Sequence, residues 1–287
     1  MATAPDSAYA PTRRVWRALA RDVGTLSGAA IVSIMLLLAV FANVIAPYAP
    51  TEMNFTAVLQ SPSAEHWLGT DELGRDMLSR LIHGSRASLI VGVGSALLAM
   101  VLGSLLGVVA GYLGGRVDSV IMRLMDVFFA FPAILLALTL VIVLGTDLRN
   151  IILALGIIYM PQFARVARGA TLSVREEVYV EAALAIGNRD ARVVLRHVLP
   201  NVASPIIVQT TVTVAFAILA EAALSFVGLG IQPPEPSWGA MLNTGKIYLE
   251  QHPYLTVFPG LFIMVAVLGF NLLGDGIRDV LDPRVEA

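Results

Sequence analysis

Residues 178–201 read VYVEAALAIGNRDARVVLRHVLPN, a charged stretch of good helix formers between segments that are strongly apolar. Just before it, Ser173 and Glu176 have the Ser-x-x-Glu spacing of a capping box, in which side chains satisfy free backbone amides at the start of a helix. Gly187 follows the helix formers at a position where a left-handed residue commonly ends a helix. The pattern therefore predicts a helix over residues 174–186 that ends at a glycine.

A second, shorter helix is predicted beyond the glycine, over residues 189–199, with Asn188 as its cap and Pro200 at its end. Arginines recur on it at i, i+3 and i+7, whereas valines and leucines favour its other faces, so this helix is amphipathic. The three arginines are Arg189, Arg192 and Arg196. Such a hairpin can lie on lipid headgroups or insert into a groove on a partner protein, and the amphipathic pattern leaves both open.

The composition of the whole chain indicates an integral membrane protein. Of the 287 residues, 57% are hydrophobic and 14% are charged, with a mean hydropathy of +0.77, which is more apolar surface than a soluble domain buries. The net charge of -2 is too small to indicate a nucleic-acid partner. The chain has no cysteine, which excludes disulfides and thiolate chemistry, and its four histidines are too far apart to predict a metal site.

Six apolar runs are long enough to cross a bilayer, whose hydrocarbon core of roughly 30 Å needs about 20 apolar residues per helix. They lie at about 26–47, 87–111, 124–145, 150–167, 205–228 and 255–274. Pro132 lies inside the third run, where a proline can kink a helix or be accommodated by its neighbours. The predicted fold class is therefore an all-α integral membrane protein with six transmembrane helices.

The arginines and the single lysine predict the orientation of these helices. With a cytoplasmic N-terminus, most of the 19 basic residues fall on the cytoplasmic side, as the positive-inside rule requires. The basic residues left outside are Arg75, Arg80, Arg86, Arg149 and Lys246. The predicted domains are a cytoplasmic tail over 1–25, a membrane domain over 26–284 and a cytoplasmic C-terminal tail over 285–287. The predicted loops are external ones at about 48–86 and 229–254, and a cytoplasmic one at about 168–204 that contains the hairpin.

Two further patterns concern packing and the membrane surface. In the second run, small residues recur every four positions, which predicts close approach of another helix. These residues are Ser95, Ala99, Gly103, Gly107 and Gly111. In the first external loop, Asp76 and Arg80 are spaced for an i,i+4 ion pair on a short interfacial helix. Trp67 and Trp238 are expected at the outer headgroup layer.

Glu221 is the one carboxylate deep inside an apolar run, VAFAILAEAALSFVGLG. A charge at that depth costs roughly 3 kcal/mol on insertion scales and usually faces a bundle interior or an aqueous path. One interpretation is an acid that lines or gates a translocation pathway. The other is a carboxylate that hydrogen-bonds a neighbouring helix, and the sequence leaves both open.

The hairpin also resembles a known signature. The run EAALAIG at residues 181–187, followed by Leu199 and Pro200, is similar to the E-A-A-x3-G-x9-I-x-L-P motif of the permeases of ATP-binding-cassette (ABC) importers. His197 stands where this pattern has isoleucine, a departure that leaves the Glu and Gly positions unchanged. Four more segments look like the C-type permeases of the dipeptide/oligopeptide/nickel branch: residues 66–89, 111–132, 224–242 and 273–284. The resemblance covers about residues 13–284.

The resemblance implies a type I ABC importer permease fold with a cytoplasmic EAA coupling hairpin that docks on an ATPase subunit. The residues that it implies for this coupling are Glu181, Ala182, Ala183 and Gly187. Glu221 is the candidate residue of the translocation pathway. The implied partners are a homologous B-type permease, two cytoplasmic ATPase subunits and an external substrate-binding protein, in the lipid of the bacterial inner membrane, with no nucleic acid.

The chain itself is expected to be non-catalytic. Its nearest Walker-like string, GAMLNTGKI at residues 239–247, has the wrong glycine spacing and no Ser or Thr after the lysine. ATP and magnesium are therefore expected in the partner ATPases, and no cofactor or metal in this chain.

The function implied by the resemblance is import of dipeptides or oligopeptides by alternating access. The same machinery for nickel, glutathione or short oligosaccharides is the alternative, because a permease sequence does not determine the substrate. A secondary transporter and a lipid-binding membrane scaffold are the other two hypotheses. Inverted repeats or more intramembrane polar groups would favour the secondary transporter.

Overall fold

The computed structural model describes residues 22–281, and the regular elements in this range are helices, apart from one isolated bridge between Thr70 and Asp76. The first six helices are α1 (Val23–Val40), α2 (Ala42–Ile45), α3 (Met77–Leu113), α4 (Gly115–Phe129), α5 (Ala133–Leu144) and α6 (Leu148–Arg175). The others are α7 (Val178–Ala185), α8 (Asp190–Val193), a π-helical turn (Val194–Val198), α9 (Leu199–Phe226), α10 (Trp238–Gly245), a 3-10 turn (Lys246–Tyr248) and α11 (Tyr254–Leu281). The predicted N-terminal tail up to residue 21, with Arg13, Arg14, Arg17 and Arg21, and the predicted C-terminal tail lie outside the described residues.

Five helices are long and apolar enough to cross a bilayer. They are α1, α3, α6, α11 and the continuous run Asp190–Phe226, which joins α8, the π-helical turn and α9. Helices α4 and α5 meet the same criterion only together, as a bent pair. These segments correspond to the six predicted apolar runs. The predicted all-α membrane fold is therefore confirmed, with one of its six segments broken.

The broken segment is the third predicted span, at about 124–145. Instead of one helix, α4 and α5 are bent by 89° at a break that ends in Pro132. Pro132 has no amide hydrogen to continue the helical ladder, and its ring disfavours the helical conformation in the preceding residue. α4 is an amphipathic helix that packs Met125 near Met160 and Ala164 of α6.

The small-residue stripe of α3 packs against α6, as the sequence predicts. A Cβ atom added at Gly103 would overlap the backbone oxygen of Met160. One added at Gly107 would overlap the backbone oxygen of Ala164, and one at Gly111 would lie 2.8 Å from a threonine side chain. The two helices therefore touch along successive turns where no larger residue fits without movement.

Helix α9 lies at the centre of the arrangement and contributes to two hydrophobic cores. One core lies between α3, α5, α6 and α9 and includes Phe163 and Leu155. The other lies between α1, α3, α9, α10 and α11 and includes Trp238 and Ile218. Because protein interiors are close-packed, a movement of α9 must change the packing on both of its sides.

Candidate functional site

The hairpin begins directly at the end of α6, which continues to Arg175. Ser173 therefore lies inside that helix, and Glu176 follows its last residue, so the predicted capping box does not form. The prediction failed because Thr171 is buried against α3, and this packing keeps the last turns of α6 helical despite the local capping signal. The first helix of the hairpin is α7, at Val178–Ala185.

The hairpin turns at Gly187, whose φ of +84° lies in the left-handed region, as predicted. Its amide donates to the carbonyl of Leu184 at 2.9 Å. The amide of Asn188 donates to the carbonyl of Ala183 at 3.2 Å, which completes a Schellman cap. The Asn188 side chain donates to the same carbonyl at 3.0 Å, so Asn188 caps the end of α7 and not, as predicted, the start of the second helix. Beyond its chain neighbours, a Cβ atom at Gly187 would meet no atom of the described residues within 4 Å, so only its backbone conformation requires glycine.

The second hairpin helix does not end at Pro200, contrary to the prediction. α8 continues through the π-helical turn into α9, and Pro200 lies in the first turn of α9. A proline can occupy this position within a continuous helix when the backbone hydrogen-bond pattern before it is already irregular, as it is in the π-helical turn. The second helix of the hairpin therefore continues into a transmembrane segment, and the two form one continuous helix, Asp190–Phe226.

The base of the hairpin packs against the end of α3. Val180, Ala183 and Val193 form a small buried core, on which Tyr112 of α3 packs. The Tyr112 hydroxyl donates to Asp190 Oδ1 at 2.9 Å. These contacts fix the hairpin relative to the ends of the membrane helices.

The structure separates the four residues that the signature implies for coupling. Glu181, Ala182 and Gly187 are exposed on the hairpin, so they are available to a partner. Ala183 is buried inside the hairpin, where it packs on Val180 and Val193.

The hairpin also exposes large apolar side chains that the sequence analysis did not single out. Val178, Ile186 and Leu195 are 77%, 81% and 69% exposed. Exposed apolar residues clustered on one element mark an interaction surface. The signal in the sequence was the presence of large apolar residues at both ends of a short helix outside the membrane spans. We call Val178, Glu181, Ala182, Ile186 and Gly187 the hairpin face.

The arginines of the second hairpin helix are exposed. Within residues 22–281, no carboxylate oxygen lies within 4.0 Å of Arg189, Arg192 or Arg196. By contrast, Arg168 of α6 forms an ion pair with Asp118 of α4, with 2.5 Å between Nε and Oδ1. Arg192 donates to the Asn188 side-chain oxygen at 3.5 Å. Because all three arginines are exposed and none has a carboxylate partner among the described residues, they are accessible to lipid phosphates or to a protein partner.

Glu221 lies in α9 and is completely buried. Its Oε1 accepts a hydrogen bond from the Ser225 hydroxyl at 2.7 Å, and its Oε2 accepts one from the Ser88 hydroxyl of α3 at 3.2 Å. This geometry favours the second interpretation of Glu221, a carboxylate that joins neighbouring elements.

An apolar cavity of about 260 Å³ lies between α5, α6 and α9. Its lining includes Tyr159, Phe216 and Leu219, and the Tyr159 hydroxyl donates to the backbone oxygen of Phe216 at 3.2 Å. Glu221 does not line this cavity, because at 100° per residue it faces away from Phe216 and Leu219 on α9.

The loop before α3 contains a buried cluster of charged side chains. Asp71 Oδ2 lies 2.7 Å from Arg75 Nε and 3.2 Å from Arg80 Nε. Asp76 caps the first turn of α3 and lies 3.0 Å from His66 Nδ1, so the predicted Asp76–Arg80 ion pair does not form. The predicted short interfacial helix is the first part of α3.

Among residues 22–281, no group of three or more His, Asp or Glu side chains could hold a metal ion.

The two tryptophans expected at the outer headgroup layer have different environments. Trp67 is 70% exposed, whereas Trp238 is fully buried. The Trp238 indole donates to the backbone oxygen of Leu81 at 3.0 Å and packs edge-on against Phe262. The prediction for Trp238 is wrong because α10 folds back into the helix bundle.

Residues 103–287, which include the hairpin and Glu221, match the family described as the inner membrane component of binding-protein-dependent transport systems. The chain belongs to this family of transport permeases. Residues 10–62 match the N-terminal transmembrane domain of oligopeptide transport permease C, so the family assignment also covers α1 and the start of the first loop.

Individual relatives of this permease family match the chain almost from end to end. The dipeptide transport system permease protein DppC of Alkalihalophilus pseudofirmus is 42% identical over 281 residues, which are 98% of this chain and 92% of the relative. The glutathione transport system permease protein GsiD of Escherichia coli O157:H7 is 44% identical over 283 residues, which are 98% of this chain and 93% of the relative.

A solved permease has the same fold. The inward-facing MetNI methionine ABC transporter matches with a TM-score of 0.59 at 19% sequence identity, over 72% of this chain and 98% of the solved chain. The permease fold is therefore that of a type I ABC importer, as the signature implied. The chain is the membrane-spanning component of a transport system in the inner membrane.

Proposed function

We propose that this permease imports short peptides across the bacterial inner membrane as part of an ATP-driven complex. Its partners are a homologous B-type permease, two cytoplasmic ATPase subunits and an external substrate-binding protein. The two permeases form the pathway and expose it alternately to either side. ATP and magnesium are bound by the ATPases, and this chain couples their movement to the pathway without chemistry of its own.

The observation that carries the proposal is the exposed hairpin face. It combines a carboxylate, Glu181, with small residues that allow close contact and with the large apolar side chains of Val178 and Ile186. An apolar surface on a hairpin that is fixed to the membrane helices favours a protein partner. In the family that carries the EAA signature, the protein that docks on this hairpin is an ATPase subunit.

The continuity of the hairpin with α9 supports a mechanical role. The second hairpin helix leads without a loop into a transmembrane helix, so a displacement at Asp190 is transmitted along Asp190–Phe226. α9 contributes to both hydrophobic cores, so its displacement repacks the helices on either side. ATPase closure can thereby change the arrangement of the pathway.

The substrate class rests on the relatives and on the lining of the cavity. DppC and GsiD are named for dipeptides and for glutathione, which is itself a tripeptide. The cavity between α5, α6 and α9 is lined by apolar side chains and Tyr159, so this chain contributes a wall without fixed charge. Such a wall does not select a side-chain charge, and we assign selection to the external binding protein. Nickel and short oligosaccharides are the alternative cargoes.

The proposal is tested by purifying the tagged chain from its native membranes in a mild detergent and identifying the chains that co-elute. We expect a second permease and two ATPase chains, identical or different. In proteoliposomes supplied with the external binding protein, the complex should accumulate labelled dipeptides only with ATP and magnesium. Elution without an ATPase would contradict the coupling role, and ATP-driven uptake of nickel or an oligosaccharide in place of dipeptides would contradict the substrate class.

The orientation is tested by thiol labelling, because the chain has no cysteine of its own. Single cysteines at Ser63 and Glu235, which are exposed residues of the proposed external loops, should react with an impermeant maleimide in intact spheroplasts. A cysteine at Arg189 of the hairpin should react only after permeabilisation. The reverse pattern would overturn the cytoplasmic position of the hairpin. Ser237 is unsuitable for this test because it is completely buried.

A further inference from the structure

Helix α4 has two apolar faces, and only one of them packs on the helix bundle. The inner face contacts α6 through the buried side chain of Met125. The opposite face exposes Val117, Val120, Leu124 and Val127, which we call the apolar strip. At 100° per residue, these four side chains lie in a sector of roughly 80° around the helix. An exposed apolar surface of this kind marks an interaction site.

The two acidic residues of α4 are both engaged by α6. Asp118 Oδ1 lies 2.5 Å from Arg168 Nε, and Asp126 Oδ1 lies 2.7 Å from Arg165 Nη2. The Arg165 guanidinium also lies 3.8 Å from the centre of the Phe129 ring. These contacts fix α4 on α6 and neutralise its negative charges.

The two arginines of α4 lie beside the apolar strip. Arg116 and Arg123 are exposed, and within residues 22–281 no carboxylate oxygen lies within 4.0 Å of either. Around the helix, both lie within roughly 40° of Val127. An exposed apolar face next to unpaired arginines is typical of a helix that lies in a membrane interface.

The bend at Pro132 gives α4 the direction of an interfacial helix. It meets α5 at 89°, so it runs parallel to the membrane surface where α5 crosses the bilayer. α5 has 12 residues, or roughly 18 Å, and therefore ends inside a hydrocarbon core of roughly 30 Å. Along α6, Arg165 and Arg168 lie roughly 27 and 32 Å from Asp147, which is about one core thickness. The contact between α4 and α6 is therefore at the level of a membrane interface.

We propose that α4 is an in-plane membrane anchor, in which Arg116 and Arg123 bind the phosphate groups of anionic phospholipids and the apolar strip inserts among the acyl chains. Guanidinium groups form charge-assisted hydrogen bonds with phosphate. Two unpaired positive charges favour a lipid surface with net negative charge. The helix also joins membrane-crossing segments at both ends, since α3 precedes it and α5 follows it. Its position in the cytoplasmic leaflet rests on the proposed function, whereas the lipid contact does not.

The lipid contact is tested with a bimane fluorophore on a single cysteine at Leu124, in the full complex reconstituted into vesicles of phosphatidylcholine and phosphatidylglycerol. A nitroxide on the acyl chain of one lipid at a time quenches the fluorophore when that lipid lies next to it. We expect stronger quenching by phosphatidylglycerol than by phosphatidylcholine at the same mole fraction. Arg116→Gln and Arg123→Gln should each lower this preference roughly fivefold, the contribution of one arginine near an anionic surface.

Two matched variants separate the charge from a change in fold. Arg149→Gln removes an exposed arginine at the other end of α6, which has no carboxylate oxygen within 4.0 Å among the described residues, and should leave the preference at position 124 unchanged. Arg123→Lys keeps the positive charge and should keep most of the preference. Added salt should weaken the preference, because it screens exposed charges.

Equal quenching by the two lipids, unchanged in Arg116→Gln and Arg123→Gln, would overturn the binding of anionic headgroups. A label at position 124 that neither lipid quenches in the complex would show that a protein partner covers the apolar strip, which would also overturn the proposal. Absence of an ATPase from the purified complex would instead contradict the proposed function and leave the quenching result unaffected. The two failures are therefore distinguishable.

Discussion

Uptake by membranes that carry Gly187→Val is expected to fall by about tenfold, although the variant should insert and accumulate normally. Gly187 has a φ of +84°, and a side chain in the left-handed region costs roughly 1–2 kcal/mol. Apart from its chain neighbours, no atom of residues 22–281 lies within 4 Å of the position that a Cβ would take, so the backbone conformation alone causes the loss within this part of the chain. The variant should rearrange the turn, displace the hairpin face, and lower both ATPase co-purification and substrate-stimulated hydrolysis.

The control for this change is Gly169→Val, a helical glycine of α6 that also has open space around it. It should leave uptake nearly unchanged because a helical φ accepts valine. A triple replacement of Arg189, Arg192 and Arg196 by glutamine tests the lipid-binding hypothesis in the same assay. Normal uptake and ATPase co-purification in Gly187→Val, with a loss in the triple variant, would contradict the coupling role of the hairpin face.

The stability of the protein should fall when the contact between α3 and α6 is widened by Gly107→Val. The added Cβ would overlap the backbone oxygen of Ala164 and lie 2.8 Å from Ala167 Cβ, and backbone atoms of a packed helix cannot rotate away. Overpacking of this kind commonly costs about 1–3 kcal/mol. We expect a thermal aggregation midpoint lower by roughly 5 °C or more and a reduced amount of protein in the membrane.

Gly260→Val is the matched control, because Gly260 lies in α11 and has nothing within 4 Å of its added Cβ. The midpoint of this variant should stay close to that of the unmodified protein. Equal midpoints for Gly107→Val and Gly260→Val would show that the stripe is not a packing contact in the assembled protein.

Much of the architecture follows from local features of the chain. Apolar runs of membrane length predict helices because unpaired backbone groups are costly in lipid, and a helix satisfies them within one segment. The four-residue recurrence that contains Gly103 and Gly107 predicts a close helix contact because small side chains are the condition for it. Gly187 was predicted in the left-handed conformation because the end of a helix requires that conformation and glycine adopts it readily. The EAA signature identified the family, which the relatives then confirmed.

The predictions that were wrong rest on local sequence signals, which compete with tertiary packing. Ser173 and Glu176 have the spacing of a capping box, yet burial of Thr171 keeps α6 helical through Ser173 to Arg175. Asn188 suits either helix of the hairpin by its chemistry, and only the path of the chain decides that it bonds to Ala183. Asp76 could pair with Arg80 by spacing, but a loop brings His66 closer.

The sequence by itself determined that this chain crosses a membrane, carries a hairpin that turns at a glycine and holds one acid deep inside an apolar run, because each of these depends on residues close together in the chain. The tertiary structure alone decided which groups this acid contacts. Ser88 and Glu221 are 133 positions apart, and no periodicity relates them. A buried carboxylate must find donors wherever the fold supplies them, and here Ser88 of α3 supplies one and Ser225 of α9 supplies the other. For the same reason only the fold could reveal that Trp238 is buried and that Ala183 faces inward.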